Sequence, residues 1–500
     1  MSNVENTINS EFNSNKKIIK NIVIVALSNF IKLLSGVLVA FIIPKMMGEN
    51  NYGYYKTYTL YLTYVGLFHF GFCDGLFQIY AGKRYEELDK SSFRLYSKFL
   101  VGFQFLFALI ICLVSLFYIN NEYGYIFFFI GISMFASNVI THYQFISQVT
   151  GRFKELSIVT FIQSVLQASS VVILFILWKS KVLSELNFKI YTIIWTGILL
   201  LMAIWYVFKY RDITFGKSSN LETEKKILLS FFRIGFPLMI ANLSTSLVLA
   251  LDKQFVSILT NNGFFTIGEF GVYSFSYTML QVITTVISAI STVLYPTIRT
   301  FTEEKLKKEY NNLISIIAIV TSVCLLSYQP LCYIVTNWLP KYVNSLEVFR
   351  VILPGIVISS CITMIMYNYY KSSNKYIKFF IITIIILIIS FVANIVVFYL
   401  FNTLISISMA SIFTLGIWYF VSEYFIIRKY KIKPYKNDSF ILIVCTSFYV
   451  LTYFVKNIYF SFVLLLIDFI LLISIFYFKE IRTIISKLKK GGTKSGKNKC

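Results

Sequence analysis

The residues of this sequence that could do chemistry are ionisable groups stranded in long apolar runs: Lys32, Arg233, Asp74, Asp252, His69 and His142. If those runs cross a membrane, each charge costs about 2.5 to 3.5 kcal/mol at a helix centre, so each asks for a reason. Lys32 lies roughly 16 Å into the first run at 1.5 Å per residue, close to mid-membrane, where a cation offsets the desolvation of an anionic, phosphate-bearing group. The plainer alternative is a lysine paired with a carboxylate or snorkelling to the surface. Arg233, near the start of the seventh run, is either a second functional cation for an anionic group or an interfacial anchor. Asp252 is an ion-coupling or bundle-fixing acid, or half of an outer salt bridge; its neighbour Lys253 points about 100° away on a helix and is expected to snorkel. Asp74, in the locally Gly-rich stretch Gly71-Phe72-Cys73-Asp74-Gly75, would titrate or hold Lys32. His69 and His142, the only two histidines, allow proton handling, with a neutral hydrogen-bonded imidazole as the alternative. Asp468 has a weaker claim, and Glu347 and Arg350 are expected to pair with each other at i,i+3.

The elements that position these groups are membrane-spanning helices. Of 500 residues, 57% are hydrophobic and 14% charged, and apolar runs recur from 21 to 478. Backbone groups in hydrocarbon must be satisfied within the segment, so runs of about 20 apolar residues are spanning helices. The expected fold is all-α and polytopic, with about fourteen transmembrane helices. The net charge of +23 would suggest nucleic acid in a soluble chain. Here the basic residues occupy short loops and read as topology signals facing anionic lipid headgroups, so no nucleic-acid partner is expected. Lys and Arg number 34 on the side of the termini against 7 on the other, Lys56 among the latter, which places both termini in the cytoplasm.

Seven scattered cysteines, none in a CxxC pair, give neither a disulfide framework nor a metal site. No metal or other cofactor is expected. The polar stretch before the first run has no small-residue cleavage site, so the first helix is expected to stay as an anchor. Walker, zinc-protease and nucleophile-elbow motifs are absent, and the loops are too short for a catalytic domain, so an enzyme is not expected. Pro237, Pro296, Pro330 and Pro354 are candidate kinks in the second half. Ile481, Ile484, Ile485 and Leu488 among lysines suggest an interfacial amphipathic helix before a flexible basic tail.

An internal repeat joins the two halves. Gly48-Glu49 followed by Tyr52-Gly53-Tyr54-Tyr55 is echoed by Gly268-Glu269 followed by Phe270-Gly271-Val272-Tyr273, and Gly151-Arg152 is echoed by Asn374-Lys375. Both offsets are about 220 residues, which makes two six-helix halves of the same orientation, a parallel repeat, with two helices appended. The expected domains are bundles at 1–208 and 229–430, a connector at 209–228, the appended pair at 431–478 and a basic tail at 479–500.

At these residues the sequence resembles the polysaccharide-exporter branch, the O-antigen and capsule-unit flippases, of the multidrug/oligosaccharidyl-lipid/polysaccharide (MOP) superfamily. Pro44 to Gly48 through Tyr55 looks like that branch's pattern after its first helix; Gly235, Pro237, Asp252 and the Gly271-x-Tyr273 turn are similar to its seventh-helix signature; Gly151-Arg152-Phe153-Lys154 matches its fourth loop. The resemblance implies two bundles around a central lumen, alternating access, and an undecaprenyl diphosphate-linked oligosaccharide as cargo in a bacterial cytoplasmic membrane. It also implies H+ or Na+ as a coupling ion and a glycan polymerase as a downstream partner. An ion-coupled drug exporter of the same superfamily is the alternative; a membrane glycosyltransferase or polymerase would want a large outer loop carrying carboxylates.

Overall fold

A computed structural model describes residues 2–299, 301–373 and 375–495; within these ranges the side chains of 2–26, 241–242, 244, 288–297, 299, 376 and 479–495 lie outside the description. The side chain of Pro296, residue Asn374 of the repeat, and the side chains of the amphipathic stretch and basic tail therefore fall outside it. All regular secondary structure among the described residues is helical, without a strand. Contacts divide the chain into two units, Met1–Thr278 and Met279–Cys500.

The first unit contains α1 (Ser2–Leu62), α2 (Phe72–Tyr80), α3 (Lys90–Ser115), α4 (Glu122–Val149), α5 (Phe153–Lys179), α6 (Phe188–Lys209), α7 (Leu221–Asn261) and the start of α8 (Ile267–Arg299). The second carries the rest of α8, then α9 (Glu303–Val323), α10 (Tyr328–Trp338), α11 (Ser345–Ile352), α12 (Gly355–Ser360), α13 (Tyr367–Ser372), α14 (Tyr376–Phe401), α15 (Leu404–Tyr430), α16 (Tyr435–Phe454) and α17 (Ile458–Ser495). A π-helical turn, Cys361–Met366, links α12 to α13.

Among the described residues, eleven helices are long and apolar enough to cross a membrane, and thirteen if each of two bent pairs is one span. The first of the eleven, Leu27–His69, is 43 residues long, about 64 Å as a helix and twice the ~30 Å hydrocarbon thickness. It is broken at Gly48, whose φ of 67° lies in the left-handed region that glycine adopts without penalty. It therefore holds two crossings, the two segments the sequence separates there.

Polar residues at the helix ends explain where the spans stop. Asp89, Asn121, Asn187, Asn220, Thr302 and Thr403 each cap a helix N-terminus with a side-chain oxygen that accepts a backbone N–H. The Glu269 carboxylate accepts from the Thr266 amide at 2.7 Å, while Thr266 Oγ1 accepts from the Glu269 amide at 3.2 Å; the Gly268-Glu269 half of the repeat is thus a capping box opening α8. Gly151, at φ 69°, ends α4, and the Arg152 amide returns to the Ser147 carbonyl at 2.7 Å.

Within the first unit the helices approach at glycines. A Cβ at Gly235 would collide with the Gly71 carbonyl, and one at Gly75 with the Phe231 carbonyl, so α2 and α7 meet backbone to backbone. A buried triad of Tyr58, Ser133 and Thr196, with oxygen separations of 2.7, 2.9 and 3.2 Å, ties α1, α4 and α6. In the second unit Glu347 and Arg350 do not form the expected pair: the Arg350 guanidinium lies 5.4 Å from the centre of the Tyr453 ring, and no ion pair joins it to Glu347 among the described residues. The aromatic face brings the guanidinium of α11 to α16, far along the chain.

Candidate functional site

The Gly-rich stretch at Asp74 is a broken helix. After Leu62 the chain makes a 3-10 turn, Val65–His69, passes through left-handed Phe70 (φ 48°) and Gly71 (φ 81°), and restarts as α2. A break exposes backbone groups that hydrocarbon cannot satisfy, and neighbouring side chains take them up. Asn138 donates to the Val65 carbonyl at 3.0 Å and to Gln104 Oε1 at 2.7 Å; Gln104 donates to the Phe68 carbonyl at 2.9 Å. The Gly71 amide donates to His69 Nδ1 at 3.1 Å. An accepting Nδ1 leaves the imidazole proton on Nε2, which points to Asp74 Oδ2 at 3.9 Å. The structure thus brings His69 and Asp74 together. His142 stands apart: it is buried, with Nε2 3.0 Å from the Ser97 hydroxyl and Nδ1 without a hydrogen-bond partner.

A second cluster gathers around the Tyr-Gly-Tyr-Tyr motif. Asp252, only 2% exposed, accepts from the Tyr273 hydroxyl at 2.8 Å and from the Lys253 amide at 2.8 Å. The Lys253 ammonium lies 5.0 Å from the centre of the Tyr277 ring. Lys56 sits 5.1 and 5.6 Å from the rings of Tyr52 and Tyr55. Both lysines are part-buried, and neither forms an ion pair among the described residues. Tyrosine rings thus face both ammonium groups of the cluster. Lys56 was assigned to an outer loop by the sequence; instead α1 continues through it to Leu62, and the Tyr52 to Lys56 spacing of one helical turn is the signal that places ring and ammonium on one face.

Lys32, on α1, and Arg233, on α7, are exposed on the first unit, each with no hydrogen bond or ion pair among the described residues. Asp74 lies beside His69, and no ion pair joins it to Lys32 among the described residues. In the second unit Asp468 accepts from the Ser447 hydroxyl at 2.7 Å.

The second unit also holds an acid pair that sequence reading missed. Glu423, 1% exposed, accepts from the Tyr310 hydroxyl at 3.0 Å, and Tyr419 lies 3.5 Å from Glu423 and 3.0 Å from Asp438. One hydroxyl proton can serve only one of the two carboxyl groups. Neither acid has an ion-pair partner among the described residues. Nothing in the local sequence links them, because Glu423 sits inside α15 and Asp438 lies in the first turn of α16.

The family profile described as "Polysaccharide biosynthesis protein" matches residues 18–302, more than half of the chain. The chain belongs to that family. No curated protein matches it. Among solved structures, this family member is similar to the lipid II flippase MurJ in an inward closed conformation, with TM-score 0.59 and 15% identity over 93% of this chain and 100% of that one. It is also similar to an inward-facing multidrug resistance MATE family transporter of the MOP superfamily, with TM-score 0.57 and 15% identity over 81% of this chain and 95% of that one. A MOP superfamily transporter from Pyrococcus furiosus gives TM-score 0.54 and 14% identity over 83% and 97%. At such identities the likeness speaks for the fold alone, that of a polytopic helical membrane protein of the MOP type.

Proposed function

We propose that this chain flips a lipid diphosphate-linked oligosaccharide, with undecaprenyl as the lipid, across the bacterial cytoplasmic membrane by alternating access, for O-antigen or capsule assembly. The observation that carries the reading is that Lys56 and Lys253, part-buried in the first unit, each face tyrosine rings and form no ion pair among the described residues. Charges in a membrane span are poorly solvated, and a doubly charged diphosphate relieves that cost. Lys32 and Arg233 add exposed cations to the same unit and serve as further phosphate contacts along the route. The tyrosines around Lys56 and Lys253 suit a sugar, whose apolar faces stack on aromatic rings and whose hydroxyls exchange hydrogen bonds with phenols.

In this reading residues 1–208 and 229–430 are pseudo-symmetric bundles, 431–478 an appended pair, and both termini are cytoplasmic. The His69–Asp74 contact and Asp252 are the places where H+ or Na+ would couple to movement, and a glycan polymerase would take the exported unit. Glycan export in a strain dependent on this chain, normalised to protein in the membrane, tests the reading. Lys32→Ala should lower export steeply, Lys32→Arg should retain much of it, and Lys32→Glu should be worse than Ala. Full export by Lys32→Ala would remove that residue from the mechanism, and export independent of the chain would remove the function.

A further inference from the structure

Each unit contains the same serine–tyrosine contact at a helix end. In the first, Ser147 and Tyr210 hydroxyls are 2.7 Å apart; in the second, Ser373 and Tyr430 hydroxyls are 2.8 Å apart, with both partners displaced by about 220 residues, the spacing of the repeat. What surrounds the contact differs. In the first unit the Arg152 guanidinium lies 3.5 Å from the Tyr85 ring centre and 5.6 Å from that of Tyr210, with Lys90 3.4 Å from the Tyr85 ring and 3.4 Å from the Asp212 carboxylate. The protein's own cations and acid fill that place.

In the second unit it is an open cleft, walled by Ser373, Lys375, Lys378, Phe425, Lys429 and Tyr430. Lys429 donates to Glu303 at 2.7 Å and to the Tyr430 hydroxyl at 3.0 Å, while Lys378 lies 3.6 Å from the Phe425 ring centre. Lys375 and Lys378 form no ion pair among the described residues. Three lysines thus face one carboxylate, and that carboxylate is already engaged. The cleft stands at the ends of the spans 377–401 and 404–430, the level at which a bilayer's headgroups lie. From it the exposed side chains of Ile377, Ile381, Ile385 and Ile388 run as one stripe along α14, a surface for an acyl chain.

We propose that this cleft binds the headgroup phosphate of an anionic membrane phospholipid, with the acyl chain along the α14 stripe. The lysines supply charge, the Ser373–Tyr430 pair supplies one free hydroxyl donor, and the apolar stripe favours a lipid over a soluble phosphate.

The test is native mass spectrometry of the purified full chain with phosphatidylglycerol and, separately, phosphatidylcholine. Wild type should retain phosphatidylglycerol preferentially. Lys375→Gln with Lys378→Gln should cut that preference about thirty-fold, each lysine at an anionic surface being worth about five-fold. Lys378→Gln alone should lose about five-fold, and the double Arg variant, which preserves charge and reports on folding, should bind as wild type does. Equal retention of the two lipids by wild type, or an unchanged preference in the double Gln variant, would overturn the proposal. Displacement of phosphatidylglycerol by millimolar inorganic phosphate would reassign the cleft to a free anion and overturn the lipid.

Discussion

Gly53 and Gly271 lie backbone against backbone within the first unit: a methyl group on Gly271 would come within 3.0 Å of the Gly53 nitrogen and 3.2 Å of its Cα, and one on Gly53 would collide with the Ile267 carbonyl. The two glycines that mark the repeat are therefore also the point at which α1 and α8 cross. Neither neighbour is the end of a flexible side chain, so neither can step aside.

Gly271→Ala should accordingly destabilise the purified protein by about 1 to 3 kcal/mol, read as a lower thermal midpoint in detergent. Gly102→Ala, on α3 with nothing within 4 Å of the new methyl, should be neutral or slightly stabilising. Equal midpoints for the two variants would mean that the crossing tolerates a side chain.

His69 holds the break in the second crossing. His69→Ala leaves the Gly71 amide without its acceptor, which costs about 1 to 3 kcal/mol for a buried group. His69→Asn should recover part of that loss by offering a short side-chain acceptor. A His69→Ala protein that melts with wild type would leave the break supported by Gln104 and Asn138 alone.

Acid should loosen the loop end of the first unit. Partial burial works against the Asp212 charge, but the Tyr85 hydroxyl, at 2.6 Å, and the Lys90 ammonium hold its pKa below the usual carboxylate value. A carboxylate with a depressed folded pKa stabilises above its unfolded pKa, about 3.9, and that contribution is lost as pH falls through the folded value. Asp212→Asn should therefore flatten the acid limb of the midpoint-versus-pH curve while lowering stability at neutral pH. Parallel curves would mean that Asp212 has no native advantage.

Reporter fusions check the orientation. A reporter active only outside the cytoplasm should be silent after Lys436 or Lys490 and active near Asn261 or Lys341. Activity at Lys490 would contradict the cytoplasmic C-terminus.

The spanning helices were legible because a hydrocarbon solvent leaves one way to satisfy the backbone. The broken helix could be read from Gly71 and Gly75, though not the partners Gln104 and Asn138, which arrive from distant segments. Lys56 was misfiled because a lysine beside a turn reads as a loop cation, whereas ring faces let α1 carry it onward. Glu423 and Asp438 stayed hidden because each looks like an ordinary interfacial acid until two helix ends bring them to one tyrosine. Arg350 has a carboxylate one helical turn away yet lies over Tyr453, and i,i+3 spacing cannot show a competing aromatic surface.

The central claim is that intramembrane lysines hold the diphosphate of a lipid-linked sugar during its passage. It is tested most directly by reconstituting the purified chain in liposomes with an undecaprenyl diphosphate-linked sugar and following exposure of the sugar to a probe confined to one side. Wild type should move the lipid between leaflets, and Lys56→Gln with Lys253→Gln, at equal incorporation, should slow it by at least about tenfold, since one lost charge-assisted contact is worth about 1.5 to 3 kcal/mol. Unchanged movement in the double variant, or no movement by wild type under conditions where it carries a cationic drug, would contradict the account.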